Sequence, residues 1–187
     1  MDMFKKQPSK VLSRLVSVIP AALVLSLLPS AVLAADVYAS AAIDDQGQLH
    51  IRIMGGREIL PERQGDQVGF SEPQISEDGR VVGWRADFPN CCTSYPIPLK
   101  LVIYTNGRTR TFTGSGLPIW RWAFQAGGMR VAFEQETVHG GLGIHYELRD
   151  VATGRLIAKY DPKVVPDNQP LPVQNVPQWV RELDVRR

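Results

Sequence analysis

Two cysteines stand side by side in FPNCCTSYP (Phe88–Pro96), and they are the only two in the 187-residue chain. Adjacent thiols can close as a vicinal disulfide, persist as a pair of reduced thiols, or serve as a redox or soft-metal site. A ring across one trans peptide starts from Cα atoms only ~3.8 Å apart. That is below the usual disulfide range, so such a ring is strained and easily reduced. It closes almost no chain and adds little global stability. Cys91 and Cys92 lack the two-residue spacer of Cys-x-x-Cys redox pairs, and no histidine is near them in sequence. Asn90 favours a turn, and Tyr95, Pro96 and Pro98 make the next segment stiff and extended. The stretch is therefore expected to be a rigid recognition or packing loop, with Cys91, Cys92 and Tyr95 as its contact residues.

The second candidate is EQETVHGGLGIHYE (Glu134–Glu147). His139 and His145, with Glu134 or Glu136, are suitable metal-ligand types, but their spacing fits no standard zinc pattern. The HGGLG run resembles the oxyanion-hole loop of lipases and esterases. That reading requires a Gly-x-Ser-x-Gly elbow, which the chain lacks; Ser115 sits in GSG, at the wrong spacing. A Gly-Gly hairpin between two strands explains the run equally well. The third candidate is PIWRW (Pro118–Trp122). Extended, it puts Trp120, Trp122 and Phe124 on one strand face with Arg121 opposite. Buried, that stripe is core; exposed, it suits a sugar, a peptide or a partner protein.

What must position these residues is read from the rest of the chain. Lys5, Lys6, Lys10 and Arg14 precede an apolar run, Leu15–Leu28, which leads to small residues at Val32 and Ala34. This pattern is expected to be a secretory signal peptide, residues 1–34, cut after Ala34. Pro20 interrupts the run, which is shorter than the ~20 residues of a spanning helix, so no transmembrane anchor is expected after cleavage. The leader holds four of the 21 Lys+Arg and one of the 19 Asp+Glu, leaving 17 against 18 and a net charge of −1. A nucleic-acid partner thereby loses its electrostatic support. Export sets an oxidising context in which a disulfide persists. The absence of an N-x-S/T sequon leans towards a periplasmic or secreted protein of a bacterial envelope.

The middle of the chain repeats. ISEDGRVVGW (Ile75–Trp84) aligns without a gap on FQAGGMRVAF (Phe124–Phe133), 49 residues on, pairing Gly79 with Gly128 and Trp84 with Phe133. Each copy reads as a β-turn with a glycine at φ > 0 that feeds a strand. LVIYTNGRTRTF and LRDVATGRLIAKY match next, Gly107 on Gly154 and Arg108 on Arg155, at an offset of 47. A period of this length with two strand–turn–strand signals per copy predicts four-stranded antiparallel units, at about 71–114 and 119–161.

In PQISEDGRVVGW, residues Pro73, Ile75, Ser76, Asp78, Gly79, Arg80, Val82 and Trp84 carry a resemblance to the blade signature of TolB-type and WD-type β-propeller repeats, over about residues 71–161. The resemblance implies an all-β fold of propeller-like units. Closed propellers need four to eight blades, and this chain has room for three at most. The third is partial, at 36–60: Ile43–Gly47 repeats the spacing of Ile75–Gly79, so His50 and Arg52 fall where Val82 and Trp84 sit and its buried face is expected to be poor. The sheets must then pack as an open assembly, or copies of the chain must associate.

Pro162, Pro166, Pro170, Pro172 and Pro177 mark residues 162–187 as a Pro-rich tail. VPQWVREL (Val176–Leu183) can end it as a short helix, with Trp179 and Leu183 on one docking face. The whole reads as an exported, all-β, non-catalytic interaction or ligand-binding module without cofactor, whose partner is another envelope protein or a small ligand. The alternative is a small periplasmic metal- or thiol-dependent enzyme using His139 and His145 or the cysteine pair. No nucleophile, base and orienting acid stand at sensible spacing for it.

Overall fold

Short hairpin turns set the architecture. A computed structural model describes residues 36–141, 143–162 and 176–185. The expected signal peptide and most of the Pro-rich tail lie outside the described residues. Three antiparallel sheets succeed one another along the chain, none of them closed. The N-terminal sheet holds β1 (Tyr38–Ile43), β2 (Leu49–Ile53) and β3 (Glu58–Ile59). The middle sheet holds β4 (Gly69–Ile75), β5 (Val82–Phe88), β6 (Ile97–Thr105) and β7 (Arg108–Phe112). The C-terminal sheet holds β8 (Ile119–Gln125), β9 (Arg130–Gln135), β10 (His145–Asp150) and β11 (Leu156–Tyr160). A helix, α1 (Gln178–Val185), completes the described fold. The mostly β, open arrangement expected from the repeat is therefore present.

Alternating apolar residues give each central strand two usable faces. In the middle sheet, Val82, Trp84, Ala86 and Phe88 of β5 join Val102 of β6 in a core against Tyr38, Leu49, Ile51 and Ile53 of the N-terminal sheet. The opposite face, with Val81, Leu101, Ile103 and Phe112, packs on Ile119, Trp122, Phe124, Val131 and Phe133 of the C-terminal sheet. The far side of the C-terminal sheet, with Ala123, Ala132, Tyr146 and Leu148, receives Val180 and Leu183 of α1. Val176 and Trp179 pack at the margin of that contact. The layers are thus sheet, sheet, sheet and helix. Each large apolar side chain so buried contributes roughly 1.5–3 kcal/mol before entropy is counted.

Close approach decides two glycines. A Cβ on Gly83 would lie 2.6 Å from Ile103 Cδ1 and 2.8 Å from the Trp122 ring, so only glycine lets that indole lie against β5. Gly79 and Gly128 hold equivalent turn positions at φ 70° and 100°. A Cβ on Gly128 would also meet Ser76 Cβ at 2.6 Å, which places the C-terminal turn on its middle-sheet counterpart. As the repeat requires, Val82, Trp84, Val131 and Phe133 are buried.

The N-terminal sheet departs from expectation. Ile75 pairs with Val82 and Phe124 with Val131, each across six residues. Ile43 instead pairs with Leu49, across five. One residue fewer shifts the strand phase by one, and that exchanges the faces. Leu49, Ile51 and Ile53 are buried, while His50 and Arg52 point outward. The expected poor buried face is therefore corrected: the sheet buries a good aliphatic face, and His50 and Arg52 belong to the other one.

Orientation differs as well. Phe124, Val131 and Phe133 face the preceding sheet, as their counterparts Ile75, Val82 and Trp84 do. Ile43, Leu49 and Ile51 face the following sheet, so between the first two sheets like faces meet. The N-terminal sheet is also turned end for end. Tyr38 N–H donates to Gly79 O (2.7 Å), placing the head of β1 at the β4–β5 turn. Arg63 reaches Gly47 O (3.5 Å) in the β1–β2 turn while lying 5.9 Å from the Phe70 ring centre, towards the opposite end of the middle sheet.

Candidate functional site

The β5–β6 connection is a loop that bonds to itself. Asn90 Oδ1 accepts from Cys92 N–H (3.3 Å), and Asn90 Nδ2 donates to Thr93 Oγ1 (3.0 Å). Thr93 Oγ1 in turn donates to Tyr95 O (2.6 Å). At its root, Lys100 Nζ lies 4.6 Å from the centre of the buried Phe88 ring, a cation–π contact. These bonds use the side chains of Asn90 and Thr93, while Cys91, Cys92 and Tyr95 are each exposed. Both cysteines stand as free thiols in this structure. The Cys92 thiol is pushed above its ordinary pKa by its hydrogen bond to Cys91, then by the charge Cys91 would carry. A thiol raised in this way carries less thiolate than an ordinary one, so Cys92 is not the activated member of a nucleophilic pair.

Register puts the other predicted residues at the same end of the sheets as this loop, yet in separate settings. His145 begins β10, and its Nδ1 lies 2.8 Å from Asp161 Oδ1, while Lys159 Nζ approaches the other oxygen, Oδ2, at 3.0 Å. His139 is exposed in the β9–β10 connection. Glu134 is buried and paired with Arg121 across the strands. Among the described residues, no group of three His, Cys, Asp or Glu side chains is arranged to hold a metal ion.

The aromatic stripe divides. The β8–β9 register shifts between Ile119 and Arg121, so Trp120 falls on a bulge. An extra residue there puts Ile119, rather than Trp120, on the buried face with Trp122 and Phe124. Trp122 and Phe124 meet edge to face, with centroids 5.1 Å apart. The half-buried Trp120 donates from Nε1 to Glu136 O (3.0 Å). Arg85 of the middle sheet donates to the carbonyls of Ile119 and Trp120 and pairs with Glu72 (2.9 Å). Burial lowers the Arg85 pKa, against the raising effect of Glu72 and Asp87. The bulge thus serves as a polar tie between sheets, and Trp122 is core.

Two groupings were not anticipated. On the outward face of the N-terminal sheet, His50 Nε2 lies 2.9 Å from Asp44 Oδ2, and Nδ1 lies 3.2 Å from Glu58 Oε1. Glu58 also accepts from Arg52 Nε (3.3 Å). Hydrogen bonds to Asp44 and then Glu58 raise the His50 pKa; the Gln48 N–H and then His50 lower that of Asp44, and His50 and then Arg52 lower that of Glu58. Each ring nitrogen faces a carboxylate, so when protonated the imidazole can donate to both at once, with no lone pair left free. The alternation in LHIRI signalled this face, once the phase of the turn is known. The second grouping joins Arg110 and Arg149 at the seam of the middle and C-terminal sheets; only the repeat position of Gly154 hinted at it.

No known protein-family model matches this chain, and a search of curated proteins returns no match either. Among the described residues, no helix is long and apolar enough to cross a membrane.

Proposed function

We propose that this protein is an exported, non-catalytic interaction or ligand-binding module of the bacterial envelope, built from propeller-like β repeats. Its contact surface is the β5–β6 loop. The observation that carries this reading is the self-bonded loop in which Cys91, Cys92 and Tyr95 are all exposed, between two strands of one sheet. Long loops on a fixed β scaffold are where recognition concentrates. The two four-stranded sheets, stacked with the same face forward, support the propeller-like reading. The reversed first sheet and the helix supply the ends that an open stack needs. In an oxidising compartment the cysteine pair closes as a vicinal ring, which holds the loop and lowers the ordering cost of binding.

Two measurements test this. Thiol titration with mass spectrometry, on protein taken directly from the envelope, is expected to find no free thiol. Two freely alkylated cysteines would sink the ring. Cross-linking of the mature chain in its own envelope should then capture a partner, or native mass spectrometry a small ligand. That capture should fall with Tyr95→Ala and with the double change Cys91→Ser, Cys92→Ser. The double change is expected to leave the melting temperature little altered, because the ring closes almost no chain. Unchanged capture by both variants would remove the loop from the function.

A further inference from the structure

Arg110 and Arg149 are the charged residues lining an open pocket of about 220 Å³ at the seam between the middle and C-terminal sheets. Arg110 comes from β7, the edge strand of the middle sheet, and Arg149 from β10. Both guanidiniums are anchored on one turn. Arg110 Nη1 donates to Thr153 O (3.1 Å) and Nη2 to Ala152 O (2.6 Å). Arg149 Nη1 donates to the next carbonyl, Gly154 O (3.2 Å), while its Nε holds Glu147 (2.6 Å). Two like charges are therefore drawn together by backbone dipoles. Among the described residues, the single carboxylate bonded to either is Glu147, which is buried and already engaged by Arg149 and by Ser115 Oγ at 3.5 Å. Arg110 makes no ion pair among the described residues.

A guanidinium has five N–H groups in a fixed fork. Each arginine spends two on the contacts above, which leaves three on each at the pocket lining, where Thr111 and Thr113 add hydroxyl-bearing residues; the Thr153 hydroxyl is already given to Asp150 (2.7 Å). We propose that this seam binds a doubly charged tetrahedral oxyanion, phosphate or sulfate, between Arg110 and Arg149. The ion would offset the repulsion of the pair and accept charge-assisted bonds from two planar forks. The volume suits a small ion with its water and falls below that of most organic-ligand sites. The site stands apart from the cysteine loop, so the two readings fail separately.

The test is a titration of the isotopically labelled mature protein with sodium phosphate, sodium sulfate and sodium acetate, followed by amide NMR at a constant ionic strength of about 0.15 M, where surface charges are screened. Phosphate or sulfate should give saturable shifts at Thr113, Gly114, Thr153 and Gly154, with acetate far weaker. Arg110→Gln should weaken binding by about tenfold, the size of one charge-assisted contact. Arg110→Lys should recover only part of the loss, because a point charge lacks the fork. Arg149→Gln exposes Glu147 to the loss of its partner, so it is compared with the double change Arg149→Gln, Glu147→Gln, which should fold and bind poorly. The proposal is overturned by the absence of saturable shifts, by shifts centred elsewhere, by acetate binding equally well, or by unchanged affinity in Arg110→Gln.

Discussion

The two outer faces of the sheet stack meet water in opposite ways. The C-terminal sheet ends in an apolar face of Ala123, Ala132, Tyr146 and Leu148, and α1 covers it with Val180 and Leu183. Gln125 Nε2 secures the contact by donating to Trp179 O (2.7 Å). The N-terminal sheet ends in Asp44, His50, Arg52 and Glu58, joined by ion pairs and left exposed. An open stack of repeats must be stopped at both ends, since any uncovered apolar face invites another copy. Here one end is stopped by a helix and the other by turning a sheet around, so that its aliphatic side faces inward. Nearly the same hairpin can therefore continue a stack or terminate it. The orientation of the whole sheet makes the difference, since Ile43, Leu49 and Ile51 face the following sheet where Ile75, Val82 and Trp84 face the preceding one.

The largest expected effect tests the contact that the reversed sheet makes. Trp84 is buried between the first two sheets, with Phe70 edge-on at 6.4 Å. Trp84→Ala should cost about 3–5 kcal/mol in urea denaturation, the range for emptying an aromatic site. A loss under about 1 kcal/mol, the scale of a surface change, would show that the N-terminal sheet does not share the core.

The helix end should respond more locally. Leu183→Ala removes the residue that anchors α1, at about 2 kcal/mol, the low end for such truncations. Hydrogen exchange should show α1 losing protection well beyond the amides of β1 and β2. Equal loosening at both ends would mean that the helix is a general brace rather than a cover for one face.

The smallest effect lies in the pH dependence of the polar end. His50 has its pKa raised by Asp44 and Glu58, so its contribution is fully present below the unfolded value of about 6.5. It fades as pH rises through the higher folded value. Asp44 and Glu58 are lowered, so their contributions hold above about pH 4 and fade as pH falls through their folded values. Stability should therefore be slightly greater near pH 5.5 than at pH 8, on either side of that histidine value of about 6.5. His50→Gln should flatten that slope without altering the core. A melting profile with the same slope in the variant would assign the titration to another group.

Much of the fold can be read from short stretches. The two repeat copies announce their own turns, because glycine at φ > 0 and alternating Val, Trp and Phe are local requirements. The β5–β6 loop was equally legible, since Asn90 and the prolines act on their immediate neighbours. The Trp120 face was not, because a bulge cannot be counted from period-two alternation and is decided by which residue Glu134 opposes. Nor was the N-terminal sheet, where Ile43–Gly47 matches Ile75–Gly79 and yet the strand after it changes phase.

By itself, then, the chain determined its β character, its four-stranded repeat, its cysteine loop and the helix-forming segment at its end. Each depends on propensities and periodicities that operate within about ten residues. Tertiary structure alone decided that the first sheet is reversed, that Trp122 lies in a space only Gly83 leaves open, and that Arg110 and Arg149 meet across a seam. Those outcomes depend on which distant surface each face finds to bury. Packing at near-crystalline density allows one register and one orientation, and no local pattern can encode that choice.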